Sequence, residues 1–474
     1  MARSRKKIGI VGGGLLGMTL ALRLSQKGFK ITLLEAATRT GGLACPTKIG
    51  DYIWDRFYHV MLASDSNLIN LLEELNLTGQ IHWSETKTGF YIKGQLYSMS
   101  TLLEFLKFPP LTPFDKIRLG WTIFYASKIG NWKRLERISV INWLARHSGK
   151  RTFERIWLPL LRSKLGSYYT IASASFIWAT ISRMYAARRS GVKKEMFGYV
   201  NGGYAAILDR FQALLNNIGV DTLCNLPVRQ IENNEHGVMV KSATGEFLKF
   251  DKVIITLPCS ELPNLCPQLT YFERKLLNNV IYQGLICASL ILKKPLSPYY
   301  ITNITDDWLP FTGVIEMTTL VDKKHFDGNS LVYLPRYLTH EDSFWEKRDE
   351  ELKEIFLSGL ENMYATFRRA DVVALNIARV RQFPMVPTLN YSTEFLPPTR
   401  ISLEHVLLVN SAQIANGTTT VNAIVGLANR KAAEIIEYID TESTTCMPNK
   451  RNSLAFEKFG VIQAQAEQSS KHEQ

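Results

Sequence analysis

Apolar residues fall into two kinds of run along this chain. Ile8–Val11 is a short apolar run of the length of a buried strand. After a glycine-rich turn come Leu15, Leu16, Met18, Leu20, Ala21, Leu22 and Leu24, which predict a helix buried around most of its girth. Gly28 stands where such a helix takes a left-handed residue at its end, and KITLLE reads as a second strand ending in Glu35. From Gly202 to Glu232 the pattern reads as a turn, a helix, a strand and then Val-x-x-Ile from Val228. A hairpin and a strand closing at Pro258 follow. IYQGLICASLILKK, from Ile281, is the longest apolar run; it is shorter than the roughly 20 residues needed to cross a bilayer and predicts a buried strand. Residues 96–195 read as mainly helical, and residues 263–394 as strands mixed with helices such as the one after Ser343. Residues 441–474 are polar and predict a disordered tail.

Gly12, Gly14 and Gly17 match G-x-G-x-x-G between the first strand and the first helix. The three glycines serve different ends. Gly12 permits the tight turn, Gly14 lets a pyrophosphate approach bare backbone, and Gly17 lets helix and strand pack closely. The helix N-terminus adds unpaired N–H groups and partial positive charge, and Glu35 can accept hydrogen bonds from a ribose. MARSRKK ahead of an apolar run also has the look of a secretory signal. A signal peptide, however, needs a small-residue cleavage site and would not run straight into a strand ending in Glu35. The context favours a dinucleotide cradle. The fingerprint by itself does not separate NAD from FAD.

Directly after Glu35 comes ATRTGGLA, residues 37–44. With this stretch the chain resembles the flavin-containing amine oxidase superfamily, which includes protoporphyrinogen oxidases, phytoene desaturases and monoamine oxidases. The resemblance implies noncovalent FAD. It gives Arg39, Gly41, Gly42, Leu43 and Ala44 places along the FAD pyrophosphate, and makes Val228 the backbone contact to adenine. A third block, Val406–Ile436, is similar to the family's strand, loop and helix beside the flavin. Where the family has Gly-Asp or Gly-Glu, this chain has Asn410-Ser411, and Ser411 inherits a place at the cofactor. WDRFYHVMLASD resembles the segment beside the flavin in UDP-galactopyranose mutases and desaturase-like members. His59 is therefore the candidate catalytic residue; the alternative is a purely structural histidine. The lysine and the substrate-flanking aromatic of monoamine oxidases have no counterpart at the matching positions, near Cys287 and near Thr420–Val421. Simple amine oxidation is not expected.

The implied architecture is α/β: a discontinuous Rossmann-like FAD-binding domain (1–95, 196–262 and 395–440) and a mixed α+β substrate domain (96–195 and 263–394). The implied activity is hydride transfer from an apolar, anionic substrate to flavin N5. The alternatives are a non-redox flavoenzyme resembling UDP-galactopyranose mutase and a non-catalytic, flavin-binding peripheral membrane protein.

Charge sharpens the picture in one region. The net charge is +13, and residues 115–194 carry 17 Lys/Arg against 3 Asp/Glu, so this segment holds the whole excess. Trp121, Trp132, Trp143, Trp157 and Trp178 lie within it. Basic residues mixed with aromatics suit an anionic membrane surface or acidic ligand; a solvated helical face is the alternative. No nucleic-acid motif accompanies them. Arg162 and Lys164, in WLPLLRSKLG, could meet a carboxylate or phosphate of a small-molecule or lipid-like substrate, or be plain surface charge. Six cysteines without CxxC or metal spacing predict free thiols, no metal site and a reducing, cytoplasmic location, with the inner face of a membrane as the surface to be met.

Overall fold

The first crossover forms as its residues require. Strand Lys7–Val11 leads into helix Leu15–Gln26, and strand Lys30–Leu34 returns parallel, with Ile8 opposite Ile31 and Ile10 opposite Leu33. The structure is a computed structural model describing residues 6–189, 196–416 and 419–444. Gly28, at φ +90°, ends the helix beyond Lys27. The crossover belongs to a five-stranded, wholly parallel sheet in the order Asp221–Leu223, Lys30–Leu34, Lys7–Val11, Lys252–Ile255, Val406–Leu408. Past their leading lysines its central strands are almost wholly apolar, because both faces are covered. On one side a three-stranded antiparallel meander, Val228–Asn234, Gly237–Ser242 and Phe247–Phe250, packs Ile231, Val238 and Val240 against Val11, Val253 and Ile255.

A seven-stranded mixed sheet forms the other half. Its order is Val372–Val380, Gly284–Leu292, Ser330–Leu338, Gly313–Glu316, Ile301–Ile304, Thr88–Ile92, Gln95–Ser98. All nine residues of Gly284–Leu292 are buried, as the apolar run predicts. Ile286, Ala288 and Leu290 face helix Asp349–Met363 through Leu352, Phe356 and Leu360. Leu285, Cys287 and Ile291 face Tyr333, Tyr300 and Trp54. Strand Thr88–Ile92 lies inside the first segment assigned above to the cofactor half, 1–95, yet its partners are Ile301–Ile304 and Gln95–Ser98 of this second sheet.

Between Leu102 and Arg189 the chain is helical. Helices Leu102–Lys107 and Pro113–Lys128 each start with a capping box, Thr101/Glu104 and Thr112/Asp115, the second with Pro113 at the first turn. Trp143, Trp157, Leu144, Phe153 and Ile156 form the core of this segment. A π-helical turn, Phe153–Trp157, leads into helix Leu158–Leu165. Pro159, which has no N–H to donate backward, accounts for the widened turn.

One compact unit runs to Asn429 and a second begins at Arg430, within the last helix, Val421–Thr444. Residues 441–444 of the expected tail finish that helix, and 445–474 lie outside the described residues. No helix among the described residues is long and apolar enough to cross a membrane.

Candidate active site

Two glycine turns meet main chain to main chain. Gly12 has φ +108°, and a Cβ on Gly17 would lie 2.0 Å from the Gly12 carbonyl oxygen, so helix and strand can pack this closely only with glycine at 17. The Gly41 N–H donates to the Gly13 carbonyl at 2.8 Å. A Cβ on Gly42 would stand 3.1 Å from the Gly14 Cα. Gly14 caps the first helix with no side-chain hydrogen bond, which leaves the helix N-terminus open toward a ligand. Leu43 and Ala44 continue in a short 3₁₀ turn, Ala44 buried and Leu43 half-buried.

Glu35 lies over this junction. Oε2 accepts the Gly13 N–H at 2.7 Å and Oε1 the Ala37 N–H at 2.8 Å. A carboxylate has about four acceptor sites, so capacity remains for sugar hydroxyls. The Leu226 N–H donates to the Glu35 carbonyl at 2.9 Å, which brings half-buried Val228 to the same edge. Arg39 pairs with Asp209 at 2.8 Å, while its buried Nε has no partner among the described residues. The pair at 410–411 divides. Asn410 is buried: its amide donates to the Leu257 carbonyl at 2.9 Å and Cys259 Sγ at 3.2 Å, and its oxygen accepts from the Ala412 N–H. Asn410 is thus fixed by protein contacts, and half-buried Ser411 is the member left to face a cofactor. The uncapped helix, the glycine surfaces and the orphaned Arg39 nitrogen fit an extended dinucleotide.

Beyond this cradle lies a polar wall assembled from distant parts of the chain. The His59 ring centre is 4.7 Å from that of Tyr204; His59 Nδ1 and the Tyr204 hydroxyl are both buried without partners among the described residues. Trp54, Asp55 and Gly203 line the same small cavity. Burial pulls the His59 pKa down to about 4. At that value the ring is uncharged near pH 7 and offers one donor and one acceptor. Asp55 accepts the Tyr204 N–H at 2.8 Å and so caps helix Gly203–Asn217 from a neighbouring strand. Burial raises its carboxyl to about 7.

Tyr58 and Tyr337 share a hydrogen bond at 2.7 Å, and the Tyr333 hydroxyl donates to the Asp55 carbonyl at 2.6 Å. Tyr333 and Tyr337 flank Pro335, the residue opposite Cys287, whose thiol burial holds well above its usual range. Lys164 Nζ stands 5.4 Å from the Tyr337 ring centre. Lys164 forms no ion pair with a carboxylate among the described residues, and burial lowers its pKa to about 8. Arg162 is exposed, stacked on Tyr169. The structure thus brings Lys164 to the tyrosine wall and leaves Arg162 outside. Asp55, Tyr58, Tyr204, Tyr333 and Tyr337 are missing from the sequence reading. Two signals were available: Tyr58 adjoins His59, and SLVYLPRYL places two tyrosines on one face of a strand.

The model of the flavin-containing amine oxidoreductase family matches residues 17–436. The chain belongs to that family. As a family member it is an FAD-dependent oxidoreductase. Protoporphyrinogen oxidase 2 of Arabidopsis thaliana is 32% identical over 76 residues, 16% of this chain and 15% of that protein. The 15-cis-phytoene desaturase of Narcissus pseudonarcissus is 21% identical over 388 residues, 73% of this chain and 65% of that protein. Both matches span less than two thirds of the relative's length. In fold, a protein assigned as a protoporphyrinogen oxidase from Exiguobacterium sp. 255-15 superposes with TM-score 0.71 at 18% identity, covering 92% of this chain and 99% of that one.

Asp55 supplies a test on stability. Its folded pKa of about 7 lies above the ordinary carboxylate value, so its contribution is full below about pH 4 and is lost as pH rises through 7. Asp55→Asn keeps an oxygen for the Tyr204 N–H and removes the titration. Urea melts from about pH 4 to pH 8 are expected to lose less stability across that range in the variant than in the parent.

Proposed function

We propose that this flavoenzyme oxidises a C–H bond of an apolar substrate that carries a carboxylate or phosphate. The observation that carries the reading is Lys164: a cation beside Tyr337, pressed into the protein without a carboxylate partner among the described residues. An anionic group on an otherwise apolar molecule would supply what the site lacks.

FAD, when bound, supplies a two-electron acceptor that takes a hydride at N5. In this reading it is held noncovalently, its diphosphate by Gly12, Gly14, Gly17, Arg39 and the Gly41–Ala44 turn. Glu35 holds the ribose, Val228 the adenine edge, and Ser411 the far end. Lys164 anchors the substrate's anion. The Tyr58–Tyr337 pair, whose hydroxyls burial keeps protonated, orients the substrate, and the apolar strand Gly284–Leu292 excludes water. His59, uncharged, makes a fixed hydrogen bond rather than carrying a proton.

The test is anaerobic reduction of the FAD-loaded protein. The probes are protoporphyrinogen IX, its dimethyl ester and 15-cis-phytoene. The acid is expected to bleach the absorbance near about 450 nm, and the ester to do so more slowly. Reduction by the uncharged hydrocarbon alone, or by none of the three, overturns the reading.

A further inference from the structure

Helix Pro113–Lys128 is apolar on two opposite sides. Leu119, Thr122 and Ala126 face the core of the helical segment. Across the helix, Phe114 (64% exposed), Ile117 (70%), Trp121 (57%) and Phe124 (44%) form an outward stripe at spacings of three and four residues. The short helix before it extends this surface with Leu102 (72%), Leu103 and Leu106. Lys116 Nζ donates to the Leu106 carbonyl at 2.6 Å and ties the two helices together. Eight of the twenty exposed large hydrophobic residues among the described ones fall between Leu102 and Tyr125. Such concentration marks an interaction surface.

Charge distribution indicates what it meets. The acids of this stretch are already engaged: Glu104 and Asp115 serve in capping boxes, and buried Glu136 accepts from Ser392. Apart from buried Lys116, the cations point out. Arg118 lies over the Phe114 ring and Lys128 over the Phe124 ring, each at 5.3 Å, and Lys107, Lys133, Arg134 and Arg137 are exposed. An apolar stripe rimmed by basic side chains suits an anionic bilayer, with the stripe among the acyl chains and the cations at the headgroups. Trp121 has the amphipathic ring favoured at that boundary. We propose that helices Leu102–Lys107 and Pro113–Lys128 seat the protein on the surface of an anionic membrane. This holds whatever substrate the active site takes.

The experiment uses the full-length, FAD-bound protein and sedimentation with phosphatidylcholine vesicles, plain or with about 30 mol% phosphatidylserine. The parent is expected to bind the anionic vesicles roughly tenfold or more tightly than the neutral ones. Ile117→Glu with Trp121→Glu is expected to weaken that binding about tenfold or more. Lys128→Glu with Arg134→Glu is expected to abolish the preference for phosphatidylserine. Because all four side chains are exposed, the flavin spectrum and melting temperature should match the parent, separating lost docking from lost folding. Absence of vesicle binding, or binding that survives the Ile117/Trp121 pair, overturns the proposal. So does a parent dimer that the same pair dissociates without any vesicle association, since the stripe would then cover a second copy.

Discussion

Lys164→Met is expected to raise KM for a carboxylate-bearing substrate by about 10- to 100-fold, from the roughly 1.5–3 kcal/mol of a charge-assisted hydrogen bond. The uncharged ester of the same substrate should be affected little. The pH profile distinguishes anchoring from a packing defect. The Lys164 pKa of about 8 lies below the ordinary lysine value because burial disfavours the ammonium. Only the protonated form attracts an anion. In the parent, kcat/KM for the acid should therefore fall as pH rises above about 8, approaching tenfold per pH unit, and this slope should vanish in Lys164→Met. Lys164→Arg, charged throughout that range, should keep substrate affinity to higher pH. A parent profile without that fall, or one unchanged in the Met variant, would remove Lys164 from the site.

Gly17→Ala is expected to give protein that does not retain FAD. The added methyl would stand 2.0 Å from the Gly12 carbonyl oxygen; its position is fixed by the backbone it grows from and its partner is backbone, so no rotamer relieves the clash. The first helix must move off the strand, carrying the open N-terminus away from the Gly41–Gly42 turn. Overpacking of this kind costs about 1–3 kcal/mol in stability, and the larger effect falls on the cofactor because the cradle's shape is lost. Dialysis followed by a flavin spectrum measures it. Gly28→Ala is the control. Its Cβ meets no atom within 4 Å, so only the strain of φ +90° is added, and FAD should stay bound.

The nucleotide half was legible because its signals are local. Strand, glycine turn, helix and acidic strand end all fall between Lys7 and Glu35, and the spacing of apolar residues carries each of them. The apolar run from Ile281 likewise announced a strand covered on both faces. The wall beside the cradle was not legible. Tyr58 meets Tyr337, and Asp55 caps a helix that starts at Gly203; no period in the sequence encodes such pairings. Strand Thr88–Ile92 shows the same limit, since nothing local in its residues says which sheet it joins. Residue type alone could not separate Lys164 from Arg162, two positions apart. The turn of helix Leu158–Leu165 sends one toward Tyr337 and the other to solvent. The outward stripe escaped for another reason: a helix apolar on both sides shows weak amphipathic periodicity, so the hydrophobic pattern conceals it.

The parallel sheet draws its strands from positions as far apart as Lys7 and Leu408. During synthesis, Lys252–Ile255 emerges long before the strand that flanks it. Until Val406–Leu408 leaves the ribosome, one margin of an aliphatic sheet is left open, able to template pairing with another chain. A nascent polypeptide stopped anywhere between those two strands should thus be a substrate for holding chaperones, and truncation there should yield aggregates rather than a smaller folded protein.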